Sequence, residues 1–251
     1  MLTFRLFLVA GLIILAFSSC KKEGSSNSTG TVLKMIKRTE RDSIFYRIFQ
    51  YDNQQRLTSI LDSNNNGNKR RFDIFYDSQG KLFKVTEDGN LFTFEFDDKG
   101  RIIKKIGLYS GQAQSSIQNT YKYDINGRVI ADSMYSYWTQ TVYSTISYSY
   151  DQNNNVTEAK FTKNSFGATL GQLHSTYDNH LNPLSETGSV LYILSGGYEL
   201  PTGKNNLVKA ANDDGTIVNF IFEYYSNGLP KKSTEHISND DLITYTEYYY
   251  E

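Results

Sequence analysis

Apolar and polar residues alternate with a period of two through most of the chain after residue 31. Phe92 and Phe94 are followed by the polar residue Glu95, and Ser147 stands between Ile146 and Tyr148. The same alternation sets Ile74 and Phe72 against Asp73, and Phe222 and Phe220 against Glu223. This pattern predicts β-strands with one aromatic face and one polar face. Aromatic and β-branched residues, which favour strands, dominate these segments.

A short motif recurs at the end of many of these segments. Its most regular form is an aromatic residue, Asp, two polar residues, Gly, a basic residue and an aliphatic residue, as in Tyr76-Asp77 followed by Gly80-Lys81-Leu82. Copies begin at Tyr51, Tyr76, Phe96, Tyr123, Tyr150, Tyr177 and Tyr224. The Asp can accept hydrogen bonds from its own turn, and the Gly can take a positive φ, so each copy predicts a type I hairpin turn. Gln55 and Leu181 replace the Gly, so we expect those two turns to differ in shape.

The spacing of the motif predicts the whole fold. Each interval of about 25 residues holds one hairpin and the return to the next. The chain is therefore expected to form an all-β, antiparallel up-and-down meander of roughly 14–16 strands. Because strand twist accumulates, such a sheet must curl with its aromatic face inside, as a half-barrel or a closed barrel.

The interval between Tyr177 and Tyr224 is too long for one repeat. It contains an apolar run, residues 190–194, between glycines. We interpret residues 185–203 as an insertion, a short helix or apolar loop that acts as a plug over one end of the curl. The rest of residues 32–251 has one composition and is expected to form a single domain.

The N-terminus has the features of an export signal. A short positively charged segment precedes an apolar run from Leu6 to Phe17, which is too short to span a bilayer as an ordinary helix. The run ends at Ser18-Ser19-Cys20, which resembles a bacterial lipobox, so we predict a signal peptide over residues 1–19 and lipid attachment, including palmitate, at Cys20. An ordinary secretory signal is the alternative. Residues 20–31 are polar and Gly/Ser-rich and are expected to form a flexible tether.

The composition limits compartment and partners. Cys20 is the only cysteine, so an exported form of this chain has no disulfide framework. Lys21 follows the cysteine where an inner-membrane retention signal has Asp, which favours lipid anchoring in the outer membrane, on the periplasmic or the cell-surface side. The formal net charge is −1, without a basic stripe, which argues against nucleic acid as a partner.

The recurring motif resembles the Tyr-Asp repeat, also called the YD or Rhs repeat, of large bacterial secreted shells. In those shells the repeats build a spiral β-sheet and carry no catalysis. The chain is also similar to small lipid-anchored envelope proteins that contain a domain of unknown function described as porin-like. Asn182-Pro183 and residues 204–209 add to this second similarity. The resemblance implies a fold and an envelope location, and it implies no substrate.

One stretch has the spacing of a calcium loop. Oxygen-bearing side chains stand at Asp62, Asn64, Asn66 and Asp73, with Gly67 at the sixth position. The flanking residues predict strands rather than helices, and basic residues follow directly. An Asn-Gly hairpin turn is therefore the favoured interpretation, with Ca²⁺ binding as the alternative and no other cofactor expected.

A second stretch could bind sugars. Tyr135, Tyr137 and Trp138 lie close together, and exposed aromatic rings of this kind stack on carbohydrate. The alternative is a hairpin whose aromatic side chains join the core, where their burial is strongly stabilising. The histidines His174, His180 and His236 have no spacing typical of zinc and are expected to be surface residues.

We expect a lipid-anchored envelope protein with a binding or structural role, its ligand being a glycan or an envelope protein. A hydrolase acting on envelope or extracellular polymers is the alternative, so whether the chain is an enzyme stays open and a non-catalytic role is favoured. An aromatic inner face leaves little room for the converging carboxylates that glycan hydrolysis needs. A membrane-embedded barrel would need an outward apolar band, which the polar second face does not provide.

Overall fold

A computed structural model describes residues 31–111, 117–136, 141–163, 168–185, 192, 203–238 and 240–251. They form sixteen β-strands, at the upper end of the predicted range. The strands are β1 Leu33–Glu40, β2 Ser43–Tyr51, β3 Leu57–Asn64, β4 Lys69–Tyr76, β5 Leu82–Glu87, β6 Asn90–Phe96, β7 Ile102–Leu108, β8 Ile117–Tyr123, β9 Val129–Ser136, β10 Thr141–Tyr150, β11 Val156–Lys163, β12 Ala168–Leu181, β13 Asn205–Asn212, β14 Ile217–Tyr224, β15 Pro230–Ile237 and β16 Ile243–Tyr250.

The strands form a closed barrel. Every strand pairs antiparallel with the next along the chain, and β1 pairs with β16, which decides between the half-barrel and the barrel. One end of the barrel, here called the Tyr-Asp end, carries the connections 52–56, 77–81, 97–101, 124–128, 151–155, 182–204 and 225–229. Val32 and Glu251 also lie there and exchange two backbone hydrogen bonds of 3.0 Å. The other connections form the return end.

The turn at 97–101 shows why the motif needs its residue types. The Asp97 carboxylate accepts hydrogen bonds from the backbone amides of Lys99 (3.0 Å) and Arg101 (2.8 Å) and from the Arg101 Nε (2.7 Å). The Arg101 guanidinium then lies 4.6 Å from the centre of the Tyr123 ring, in the next repeat. The Tyr123 hydroxyl donates back to the carbonyl of Ile102 at 2.6 Å. Asp, Arg, Tyr and the aliphatic residue therefore tie each repeat to its neighbour.

The same arrangement recurs around the barrel. Arg56 and Arg128 stack over the next tyrosine, and tyrosine hydroxyls donate to the carbonyls of the preceding repeats. The expectation for Gln55 was wrong. Gln55 adopts a φ of 60° and makes the same turn hydrogen bond as Gly80, so the backbone bonds of the turn override the steric preference of the side chain. The expectation for Leu181 was right, because β12 continues to that residue without turning.

The inner face is aromatic and aliphatic near the Tyr-Asp end, as predicted. Phe49, Ile74, Tyr121, Tyr148 and Tyr248 are buried there. The rings at the motif positions pack beside this layer, which fills that part of the barrel with side chains. Within the part of the chain that the structure describes, no helical segment has the length and apolar character needed to cross a bilayer.

The outer face carries charged pairs as well as exposed apolar side chains such as Phe75, Ile221 and Tyr245. Lys104 pairs with Glu95 at 2.9 Å across β6 and β7, and Lys37 pairs with Glu247 at 3.2 Å across β1 and β16. Both pairs lie on the side opposite to the core residues, Lys37 and Glu247 in mid-strand and Glu95 next to the last residue of β6. Such exposed pairs contribute little to stability.

Candidate functional site

The regular series of turns breaks at one sector of the Tyr-Asp end. At the position where Asp178 would start a turn, β12 runs on for three more residues and pairs with the start of β13. The turn hydrogen bonds are displaced to Asn182, whose amide donates to the carbonyl of Lys204 at 2.9 Å. The motif carboxylate of Asp178 keeps the hydrogen bond from the amide two residues on, that of His180 at 2.9 Å, but it loses the partners four residues on, and long-range contacts replace them.

Asp178 binds groups from two other strands. Its carboxylate accepts hydrogen bonds from the Asn206 backbone amide (3.1 Å) and side-chain amide (3.3 Å) and from the hydroxyl of Tyr224. The His180 ring stacks on the Tyr224 ring, with 3.8 Å between their centres and 16° between their planes. Burial, and then the hydrogen bond to the Asp178 carboxylate, raises the pKa of Tyr224, so this hydroxyl remains protonated as a donor.

Four asparagines are buried in the same sector: Asn155, Asn182, Asn205 and Asn206. Asn155 occupies the motif position that Arg fills in the turns at 97–101 and 124–128, and its side-chain amide donates to Asp151 at 2.9 Å. It also forms a reciprocal pair with Asn205, through bonds of 3.0 and 3.1 Å. The side-chain oxygen of Asn206 is buried and has no hydrogen-bond partner among the described residues.

A polar cleft of about 570 Å³ opens between the turn 151–155 and the start of β13. Its walls include Asn153, Asn155, Asn179 and Asn205 together with Asp151, Asp178, Tyr177 and Lys204. Side-chain amides donate and accept hydrogen bonds at once, and the carboxylates add acceptors. This chemistry suits a ligand rich in hydroxyl groups, each of which also donates and accepts.

The barrel interior contains charged side chains that the sequence pattern did not lead us to expect. Arg47 on β2 binds Asp62 on β3 through two hydrogen bonds of 2.7 and 2.8 Å, and Arg70 on β4 pairs with Glu87 on β5. Together with Arg38, Glu235, Lys105 and Asp132, these residues form an inner charge belt toward the return end. The inner face is therefore not wholly aromatic, and the argument that it leaves little room for carboxylates was wrong.

Part of the belt is deeply buried. Burial lowers the pKa of Lys105 to about 8, although Asp132 and Glu87 oppose this shift. Burial likewise raises the pKa of Asp132, against its hydrogen bond from Asn119 at 3.2 Å. The Tyr192 hydroxyl, from the region predicted as an insertion, donates to Asp132 at 3.3 Å. Asn119 and Tyr192 both donate to Asp132, which makes this group part of the packed interior.

The predicted aromatic platform is only partly described. Tyr135 is on the outer side of β9, because its neighbours in sequence Met134 and Ser136 pair with inward positions of β8. Tyr137 and Trp138 lie outside the described residues, as does Cys20. Sugar binding at this aromatic group therefore stays a prediction.

The predicted calcium residues are placed apart and have other partners. The Asp62 carboxylate binds Arg47 inside the barrel, whereas Asp73 pairs with Arg71 at 2.7 Å on the outer wall. The Asn64 side chain accepts from the amides of its own turn, in which Gly67 has a φ of 85°. Residues 65–68 thus form the Asn-Gly connection that was favoured. No cluster of three His, Cys, Asp or Glu that could hold a metal occurs among the described residues.

The sequence contained signals for both groups of residues that were missed. Arg47 and Arg70 stand two residues before the buried Phe49 and Phe72, so the period of two places them on the inner face. The asparagines stood where the motif lost its Arg and its Gly, which marked the sector as irregular. Their convergence depends on β12 pairing with β13, which the local pattern does not reveal.

The fold is similar to that of two solved proteins. A porin-like protein from Bacteroides uniformis matches with a TM-score of 0.62 and 11% identity, over 87% of this chain and 96% of that one. A porin-like protein from Bacteroides vulgatus matches with a TM-score of 0.55 and 13% identity, over 88% and 99%. Comparison with protein families and with curated proteins finds no match. At these identities the similarity establishes the porin-like barrel fold alone.

Proposed function

We propose that this chain is a lipid-anchored protein of the cell envelope that binds a glycan in the polar cleft of the Tyr-Asp end. The observation that carries the proposal is the break in the repeat. In the turns at 97–101 and 124–128 the motif carboxylate binds an Arg, whereas in the turn 151–155 Asn155 takes the place of the Arg and also bonds Asn205 beside an open cleft. Departures from a local rule mark functional sites when the rest of the structure obeys it.

The chemistry of the cleft supports a glycan as the ligand. Sugars offer hydroxyl groups that donate and accept, and the cleft wall offers amides, carboxylates and the ammonium group of Lys204. The stacked rings of His180 and Tyr224 lie beside it and share Asp178 with the asparagines. An envelope protein as ligand is the alternative outcome, which would be expected to use the wider outer wall.

The location rests on sequence. The lipobox-like Ser18-Ser19-Cys20 supports lipid attachment at Cys20, and Lys21 supports the outer membrane. The Lys37–Glu247 pair on the outer wall supports a barrel that stands in water beside the membrane, since a charged pair in mid-strand is costly in hydrocarbon. The recurring turns support a relationship to Tyr-Asp repeat proteins. Mass spectrometry of the exported chain tests the anchor, with Cys20→Ser as the unlipidated control.

A glycan panel, followed by calorimetry on any glycan that binds, tests the cleft. The variant Asn153→Ala/Asn179→Ala/Lys204→Met changes three exposed side chains of the cleft wall and should weaken binding at least tenfold. Gln79→Ala is the matched control, because Gln79 occupies the same place in the turn 77–81 as Asn153 does in 151–155. Equal binding by both variants, or binding of proteins but of no glycan, would contradict the proposal.

A further inference from the structure

The Tyr-Asp end carries the start of the barrel as well as the cleft. β1 begins at Leu33, and Val32 is bonded to Glu251 at this end. The expected tether, residues 20–31, therefore joins the barrel at the Tyr-Asp end. A Gly/Ser-rich chain of about 12 residues has a root-mean-square length of roughly 19 Å. A strand of eight residues is about 26 Å long, so this end is the one held nearest to an anchored lipid.

Exposed apolar side chains stand at four connections of the same end. Ile125 lies within 124–128 and is 95% exposed, and Phe83, two residues beyond 77–81, is 58% exposed. Leu181 precedes 182–204 and Tyr225 begins 225–229, and both are exposed. We call these four residues the apolar rim. Phe83 is in the turn-side part of β5, Ile125 lies between β8 and β9, Leu181 ends β12 and Tyr225 follows β14, so the four residues are spread around this end of the barrel.

Basic side chains accompany the apolar rim. Lys81, Lys99, Lys204 and Lys231 are exposed at the Tyr-Asp end. Of the exposed carboxylates there, Asp77 accepts hydrogen bonds from its own turn, Glu251 pairs with Lys34 at 2.6 Å, and Asp98 stands next to Lys99. Apolar side chains that enter the interface, with lysines at headgroup level, are typical of surfaces that rest on membranes.

We infer that the apolar rim rests on the bilayer that holds the lipid anchor, so that the barrel stands end-on with its Tyr-Asp end toward the membrane. This inference rests on the lipid attachment in the proposed function. The cleft opens at the same end, so a glycan bound there lies beside the headgroups.

Vesicle binding of the chain without residues 1–20 tests the apolar rim without the lipid and without the apolar run of the signal. This chain is mixed with vesicles of phosphatidylethanolamine and phosphatidylglycerol, and the bound fraction is measured by sedimentation. Phe83→Ser/Ile125→Ser/Leu181→Ser/Tyr225→Ser should reduce partitioning about tenfold or more. The matched control changes exposed apolar residues elsewhere: Val142→Ser/Ile221→Ser/Ile243→Ser/Tyr245→Ser. Equal losses in the two variants would overturn the inference.

A quenching experiment on the lipidated chain provides the second measurement. In a Trp138→Phe background, tryptophan is placed at the rim by Ile125→Trp or at the outer wall by Ile221→Trp, and brominated lipids are the quencher. Emission from the rim position should be quenched, and emission from the wall position should not. Quenching of neither would overturn the inference even if Cys20 carries lipid. If mass spectrometry shows no lipid at Cys20, the anchor fails, and the sedimentation result still decides whether the rim binds a bilayer.

Discussion

Two parts of the Tyr-Asp end use the same carboxylate in different ways. At 97–101, Asp97 binds two amides of its own turn and the Arg101 side chain, so its partners all lie within four residues. At 178–206, Asp178 binds Asn206 and Tyr224, from two other strands. A local arrangement can recur in every repeat, whereas a long-range one is specific to a single place. The second kind of contact is where a site for a particular ligand can be built.

The comparison predicts a large difference in stability. Asp178→Ala should lower the free energy of unfolding by about 3 kcal/mol or more, because it leaves the buried Asn206 amides and the Tyr224 hydroxyl without an acceptor. Asp124→Ala removes only local partners and should cost about 1–2 kcal/mol. Urea denaturation followed by circular dichroism gives both values. Asp178→Asn keeps an accepting oxygen and should recover part of the loss, and equal losses at 178 and 124 would contradict the account.

Lowering the pH should destabilise the protein mainly through the carboxylates of the regular turns. Hydrogen bonds from the Arg56 backbone amide and side chain lower the pKa of Asp52, and bonds from Arg101 outweigh burial to lower that of Asp97. A folded-state pKa below the ordinary value of 3.8 adds stability above that pH, and the stability is lost as pH falls through the folded value. Asp97→Asn should therefore flatten the decline in stability between about pH 5 and about pH 2. An unchanged slope would exclude this origin of acid sensitivity.

Substitutions at turn positions with a positive φ should change the free energy of unfolding less, and in opposite directions at Gln55 and Gly100. Gln55→Gly should raise the free energy of unfolding by about 0.5–1 kcal/mol, because Gly accepts a φ of 60° without Cβ strain. Gly100→Ala should lower it by about 1 kcal/mol. Its φ is 78°, and an added Cβ would lie an ordinary 3.7 Å from Lys81, so strain rather than a clash sets the cost. Thermal unfolding of both variants tests the pair, and shifts of the same sign would refute the explanation.

Adding or removing the hydroxyl group of a motif ring should have the smallest effect on the free energy of unfolding. Phe96 is the one motif ring of the first five that lacks a hydroxyl, so Phe96→Tyr should gain a bond to the carbonyl of Leu82 and about 0.5 kcal/mol. Tyr123→Phe should lose up to about 1 kcal/mol, since the carbonyl of Ile102 loses its donor. Chemical denaturation of both is the test. A loss of stability on adding the hydroxyl at residue 96 would contradict this role for the motif tyrosine.

Much of the fold was predictable because it is built from local rules. The period of two placed Phe92 and Phe220 inside, and the Asp-Gly spacing located the turns. Closure was not predictable, because it depends on β1 meeting β16 at the far end of the chain. The inner charge belt follows the same period, because Arg47 and Arg70 occupy inner positions of their strands. The position of these residues therefore predicts their side of the barrel, whereas their charge does not.

Most of the candidate site could not be predicted from the sequence. The motif showed where the repeat fails, at Leu181, and it did not show which residues meet there. Asn155 and Asn205 are brought together by the pairing of β12 with its two neighbouring strands and by the displaced turn at Asn182. Such long-range pairing leaves no periodic trace in the sequence.

Hydrogen exchange with and without the tightest glycan from the panel tests the central claim most directly. The account predicts slower exchange in residues 151–155 and 204–206, which form the cleft, and no change in the regular turns 77–81 and 97–101. Protection confined to the regular turns or to the outer wall, with the cleft unchanged, would contradict it.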